Sequence, residues 1–368
     1  MSDGPSDPAS STIHTRFCDL MGVRHPIVQT GMGWVSGARL TAATSTAGGL
    51  GILAGVTMSQ AELRRAVRAV KERTDRPFGV NLRADQPDLD ERIAFVVGEG
   101  VGLVSFAGAP DRATIDRLHG SGALCMPTVG ARRHAEKMLD WGSDAVIAQG
   151  SEGGGHTGSV PTSLLLPQVV DSVGADIPVI AAGGFHDGRG LVAALAWGGD
   201  GIAMGTRFLL TRESHVPDAV KQRYLAAGVL DTVVTTALDG APQRVIRTPL
   251  VDKLLRSSFI TRLPRAVSNA LAFRRLSGVT VGDLAREGRA MRRNQDLTLA
   301  QVAMAANAPM LIKAALVDGD AEVGVLPTGQ VTGVLDDVPS VAELIERIVA
   351  DAAATLRRLT DCSLAERT

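Results

Sequence analysis

Short apolar runs rich in β-branched side chains recur along the chain before about residue 206. They are Pro26 to Gln29, Leu50 to Ala54, Phe78 to Leu82, Gly102 to Phe106, Ala123 to Val129, Asp144 to Gln149, Pro178 to Ala182 and Asp200 to Met204. Continuous apolar character over so few residues is how a strand buried on both faces of a parallel sheet reads. Between most of these runs the period changes to that of an amphipathic helix. Ser59 and Glu62 form a capping box ahead of Leu63, Ala66, Val67 and Val70, and Asp187 stands as N-cap to Gly190 to Trp197. Gly142 and Gly198 supply helix stops. Strand and helix in alternation, eight times over, predict an α/β chain folded as a (β/α)8 TIM barrel. An open doubly wound sheet is the alternative. Its ligand loops would gather at one switch point, whereas here glycine-rich loops follow several strands.

After Thr211 this rhythm breaks. Pro217 to Gly228 reads as helix, Val233 to Arg247 as two extended pieces, and Leu254 to Arg293 as arginine-rich helices. Gly329 to Val334 precedes a long helix from Ser340 to Leu359, with Val341, Leu344, Ile345, Ile348 and Ala352 on one face. The expected division is a disordered tail at 1–11, a cofactor-binding barrel at 12–212, and an inserted substrate-binding or lid region at 213–330. A C-terminal segment and helix at 331–360 would pack back on the barrel.

Composition narrows the partners. With 21% charged residues and a formal net charge of -1, nothing general points to nucleic acid or a membrane surface, so a partner must be sought in local features. Cys18, Cys125 and Cys362 are too few and scattered for a disulfide framework or a zinc site, and no metal is expected. That usage fits a reducing cytoplasm. Met1 to Ser10 lacks the basic start and apolar core of a signal peptide.

In a barrel of this kind, the loops after the strands build the active site. Those loops carry Thr30-Gly31-Met32 after the first strand, Asn81 at the third, and Gln149 through Gly154, Gly155 and His156 after the sixth. Gly183-Gly184 follows the seventh and Gly205-Thr206 the eighth, and all would converge on one opening. Gly183-Gly184 precedes a helix whose N–H groups suit a phosphate, with Gly205-Thr206 adding donors beside it. Asn81 and Gln149 carry amides able to read a flavin edge, and the Thr30 to Met32 backbone could lie along its face. His156 brings the one side chain whose ordinary pKa lies near neutrality. His25, before Pro26 at the opposite barrel face, reads as structural; His186, beside the diglycine, is the rival to His156. Tyr224, outside the barrel loops, is not read as an acid.

Gln149-Gly150-x-Glu152-x-Gly154-Gly155-His156 resembles the signature of the flavin-dependent nitronate monooxygenase and enoyl-reductase superfamily. Thr30 to Met32, Gly48 to Gly51, Gly183-Gly184-Phe185 and Met204-Gly205-Thr206 match its other blocks in order. The resemblance implies FMN as cofactor and His156 as the catalytic group beside it. Val28 to Val35, Glu152 to Gly158 and Val302 to Met310 further resemble the actinobacterial branch that acts on coenzyme A thioesters in steroid breakdown. For that branch the implied reaction is α,β-dehydrogenation of a bicyclic acyl-CoA, with an electron acceptor such as NAD or O2. Thr30-Gly31-Met32 replaces the Ala-Pro-Met form usual in nitronate monooxygenases, and Thr157 stands where many have arginine.

Alkyl nitronate oxidation with O2, enoyl-thioester reduction, and flavin binding without turnover remain as alternatives, as does a non-flavin barrel enzyme acting on a sugar phosphate. The arginine-rich stretch, with Arg244, Arg247, Arg292 and Arg293, would suit the phosphates of coenzyme A. It equally suits solvated helix faces or a homo-oligomer contact.

Overall fold

The computed structural model describes residues 13–256, 308–320 and 324–362. The 1–11 tail, Arg292, Arg293, the rest of the arginine-rich stretch beyond residue 256 and the Val302 to Asn307 part of the last matched block lie outside the described residues.

The eight apolar runs become β1 (Ile27–Gln29), β2 (Leu50–Ala54), β3 (Phe78–Arg83), β4 (Leu103–Ala107), β5 (Leu124–Val129), β6 (Val146–Gln149), β8 (Val179–Ala182) and β9 (Gly201–Met204). A two-residue strand, β7 (Gly155–His156), intervenes in sequence but belongs to another sheet. The eight pair in parallel and close into a barrel, with Val28 in register with Leu50 on one side and Ala203 on the other. Around them run α1 (Arg16–Met21), α2 (Ala38–Thr46), α3 (Gln60–Lys71), α4 (Leu89–Gly98) and α5 (Arg112–His119). Then follow α6 (Arg132–Asp140), α7 (Thr162–Val173), α8 (Gly188–Ala196) and the single turn α9 (Thr206–Leu209). The chain is a (β/α)8 TIM barrel.

Strand alternation sorts the side chains into two layers. Leu103 and Met126 face inward with Val28, Leu50, Ile52, Ile147 and Ile180. Their neighbours Val104, Phe106 and Cys125 face outward against Leu63, Val67 and Val70 of α3, Ile93 of α4, and Ile115 and Leu118 of α5. The inner layer is completed at the strand N-termini by α1, whose Phe17, Cys18 and Met21 join the same cluster. Burying a phenylalanine completely, as Phe17 is, contributes roughly 1.5–3 kcal/mol. Arg16 locks the plug by donating to Asp200 Oδ1 at 2.8 Å and to the Ile177 carbonyl at 2.9 Å.

The same alternation decides what stands at the other end. Counting on from Leu103 and Ile147 puts Ser105 and Gln149 on the inward row at the C-terminal ends of β4 and β6. Asn81 has the parity opposite to outward-facing Val80 and Leu82, so it joins that row. Polar side chains therefore replace apolar ones where the loops begin.

The described residues divide into two compact units. The first, Met1–Glu152, Gly158–His215 and Asp337–Thr368, holds the barrel. The second comprises Gly153–Thr157 and Val216–Asp336. Its elements are α10 (Asp218–Leu225), β10 (Thr232–Thr235), β11 (Gln243–Ile246), α11 (Pro249–Arg256) and α12 (Ala308–Leu316). The strands form a small antiparallel sheet in the order β10, β11, β7, with a cluster of Leu238, Val245, Val251, Ala308 and Val325. Buried Tyr224 of α10 donates its hydroxyl to the Pro327 carbonyl at 2.9 Å. The last helix, α13 (Val341–Asp361), starts in a Ser340–Glu343 capping box and packs against α8 and α2 of the barrel unit. Among the described residues no helix is long and apolar enough to cross a membrane.

Candidate active site

The loop after β1 is tied to the far side of the barrel closure. Thr30 N–H donates to the Met204 carbonyl at 3.2 Å, and its hydroxyl reaches the same oxygen at 3.3 Å. Gln29, fully buried, donates its amide to Ser36 Oγ at 2.8 Å and to the Ile52 carbonyl at 3.1 Å. A glutamine at a strand end carries no local mark of what it braces, and these partners come from the loop after β1 and from β2. Three residues on from Gly31, Trp34 sits at φ 63°, in a region that a bulky side chain rarely adopts, with its N–H on Thr57 Oγ1 at 3.2 Å.

Thr30, Gly31, Met32, Asn81 and Gly205 come together. A Cβ built on Gly31 would stand 2.3 Å from Asn81 Cβ, and one on Gly205 would stand 3.4 Å from Thr30 Oγ1 and Met32 Sδ. Asn81 Nδ2 donates weakly to Ser105 Oγ at 3.4 Å, while its Oδ1 is buried with no hydrogen-bond partner. A buried amide oxygen of this kind costs about 1–3 kcal/mol unless a ligand donor meets it. Gln149, half-buried, is in register with Ala182, and β8 leads directly into Gly183 (φ 100°) and Gly184 (φ 86°).

The expectation that the helix after the diglycine offers open N–H groups to a phosphate is corrected. Asp187 Oδ1 accepts the Gly190 N–H at 2.9 Å and Asp351 Oδ2 accepts that of Arg189 at 3.2 Å. Burial works against the charge on Asp187, yet the Gly190 N–H and Arg189 outweigh it and hold its carboxyl below the ordinary range. With two carboxylates on the first turn of α8, an anion there would be repelled. His186, the rival histidine, faces Asp187 at 3.6 Å.

After β6 the chain is pinned before it leaves the first unit. Glu152 Oε2 accepts both the N–H of Thr162 at 2.9 Å and its hydroxyl at 2.8 Å, and that hydroxyl lies 3.0 Å from the Gly183 carbonyl. Glu152 thus braces the turn next to the diglycine, a role that its place in the matched signature did not disclose.

Gly154, Gly155, His156 and Arg244 come together in the second unit. His156 was read as part of a loop; it is instead half of β7, in register with Gln243 of β11. Its Nε2 lies 2.8 Å from Asp239 Oδ2 and 3.1 Å from Gln243 Nε2, and Gln243 also donates to Asp239. Asp239 is 14% exposed and His156 65%, so a sheltered carboxylate meets an accessible imidazole. Gly154 has a packing reason of its own: a Cβ there would stand 2.5 Å from backbone atoms of Thr328 and Gly329. Arg244 is 8% exposed and donates to Thr232 Oγ1 at 2.9 Å, which places it inside the sheet rather than on a solvated face. Arg247 is half-exposed and pairs with Asp252 at 2.7 Å. Burial of Tyr224 pushes its hydroxyl well above the ordinary range, away from acid chemistry.

The sequence pattern of the nitronate monooxygenase family matches residues 14–94 and 89–351, nearly the whole described chain. The chain belongs to the nitronate monooxygenase family. It is 57% identical over 346 residues to a (3aS,4S,5R,7aS)-5-hydroxy-7a-methyl-1-oxo-octahydro-1H-indene-4-carboxyl-CoA dehydrogenase of Mycobacterium tuberculosis, covering 94% of this chain and 98% of that one. The protein of the same name from Rhodococcus jostii is 54% identical, with 93% and 96% covered. Among solved structures, FabK from Thermotoga maritima superposes with a TM-score of 0.77 at 35% identity, covering 96% of this family member and all of FabK. Relatives named as dehydrogenases and monooxygenases mark the family as one of oxidoreductases.

Proposed function

We propose that the protein is an FMN-dependent dehydrogenase that converts a bicyclic, steroid-derived acyl-CoA thioester to its α,β-unsaturated form. The observation that carries this reading is likeness over nearly the full length, at 57% identity, to a relative named as an indene-carboxyl-CoA dehydrogenase. The residues at the barrel's strand ends fit a flavin. The unpartnered Asn81 Oδ1 would accept from the ring edge, and the Thr30 to Met32 backbone would lie along its face. Gln149 would add a second amide, and the Gly183-Gly184 and Gly205-Thr206 backbone would hold the phosphate. When bound, the flavin supplies a two-electron acceptor for hydride.

The thioester carbonyl acidifies the neighbouring C–H, so a base near neutrality suffices to remove the α proton. His156 takes that proton as the α C–H bond breaks. The electron pair left behind forms the α,β double bond while the β C–H departs as hydride to the acceptor. Residues 213–330, with half-exposed Arg247 among their described arginines, are proposed to hold the coenzyme A end.

Anaerobic mixing of the yellow holoenzyme with the indene-carboxyl-CoA thioester tests the reading. Bleaching that disappears in His156→Ala, with the colour of the resting enzyme unchanged, is the expected result. The family match favours a second reading, oxidation of alkyl nitronates. Oxygen uptake with nitronates and no bleaching by the thioester would replace the first reading with it.

A further inference from the structure

We infer that Asp239 is a positioning residue that fixes the tautomer of His156, with the proton on Nε2 and the basic lone pair on Nδ1. The role of that lone pair in turnover rests on the proposed dehydrogenase reading; the tautomer itself does not.

The argument starts from the turn between β10 and β11. Asp239 Oδ1 accepts the Ala241 N–H at 3.1 Å, which closes the turn and orients the carboxylate. Its other oxygen, Oδ2, receives Gln243 Nε2 and faces His156 Nε2 at 2.8 Å. Antiparallel pairing of Gln243 with His156 sets this register, so the three side chains meet because β7 is laid along β11. An ionised carboxylate only accepts hydrogen bonds. At 2.8 Å from it, a bare nitrogen lone pair would be repelled, whereas an N–H is attracted. The Gln243 amide stands 3.1 Å from the same ring nitrogen, and one of its two N–H groups would suit the opposite tautomer, but that tautomer would set the ring lone pair directly against the charged Asp239 oxygen. Charge decides between the two: the carboxylate takes both protons, and Nε2 is the protonated nitrogen.

A neutral imidazole carries one N–H and one lone pair, so the lone pair falls on Nδ1. When Nδ1 accepts the substrate proton, the ring becomes a cation in contact with a largely buried anion. Asp239 thus stabilises the state reached as the α C–H bond breaks, without touching the substrate.

The test is the long-range 15N–1H correlation spectrum of protein labelled with 15N-histidine, the His156 signal being assigned by its loss in His156→Ala. The expected wild-type pattern is that of the Nε2–H tautomer. In Asp239→Ala the Nδ1–H form should become populated and kcat should fall roughly 100-fold, with the KM for the thioester little changed. Asp239→Glu should recover part of both. A wild-type Nδ1–H pattern overturns the proposal, even if His156→Ala abolishes turnover. Full turnover in His156→Ala would instead remove His156 as the base, and no bleaching of the wild type by the thioester would remove the dehydrogenase reading; both leave the tautomer assignment standing. If Asp239→Ala fails to fold, seen as loss of bound colour, the wild-type spectrum alone decides.

Discussion

Gly31 and Asn81 approach so closely that a Cβ on the glycine would stand 2.3 Å from Cβ and 2.9 Å from Cγ of the asparagine. Neither group can yield easily, because Gly31 is anchored next to Thr30 and Asn81 sits inside the barrel. Gly31→Ala is therefore expected to push the Asn81 amide off the strand-end surface and weaken flavin binding at least tenfold, about 1.4 kcal/mol. Titration of the apoprotein with FMN, followed by fluorescence, measures it; unchanged affinity would remove Asn81 from the cofactor site.

Asn81→Ala separates binding from folding. The side chain makes one long hydrogen bond and leaves Oδ1 unpartnered, so its removal should cost the apoprotein less than about 1 kcal/mol while still weakening FMN. Urea unfolding with and without the cofactor tests both halves.

Gly154→Ala acts elsewhere. Its Cβ would meet the backbone of Thr328 and Gly329 at 2.5 Å, and backbone cannot rotate away. The expected cost is roughly 1–3 kcal/mol of local strain in the segment holding His156. A fall in turnover with the bound colour retained is the expected pattern, and loss of colour with normal turnover after reconstitution would contradict it.

His25 gives stability a pH dependence of known sign. Burial, then the Arg24 guanidinium, lower its pKa from 6.5 to about 4, and its Nε2 accepts Arg24 Nε at 2.9 Å as a neutral ring must. Between those values the unfolded chain binds a proton that the folded chain refuses. The contribution is complete above 6.5 and is lost as pH falls toward 4, at about 1.4 kcal/mol per unit. The difference in urea midpoint between wild type and His25→Gln should shrink over that window, and a constant difference would count against it.

Phe17→Ala should destabilise the barrel by about 3–5 kcal/mol, since the ring is fully buried at the centre of the plug. Calorimetry on the apoprotein, where no ligand compensates, reads the loss directly.

The barrel was legible in the sequence because each strand and helix declares itself locally. A run of apolar residues cannot be exposed, and Ser59–Glu62 or Asp187 caps its own helix wherever that helix lies. Strand ends follow from the same runs, so Thr30, Asn81, Gln149, Gly183 and Gly205 could be named as a set. What tertiary structure alone decided is partnership between distant positions. Asp239 reaches His156 across 83 residues because β7 pairs with β11, a register that no local pattern encodes. Asp351 closes the first turn of α8 because the last helix lies there, so the Arg189 N–H that a free helix start would offer an anion already has a carboxylate partner. Local sequence sets which conformations a segment can adopt without cost; which buried charge finds which partner depends on chain segments brought together only when the whole core is formed.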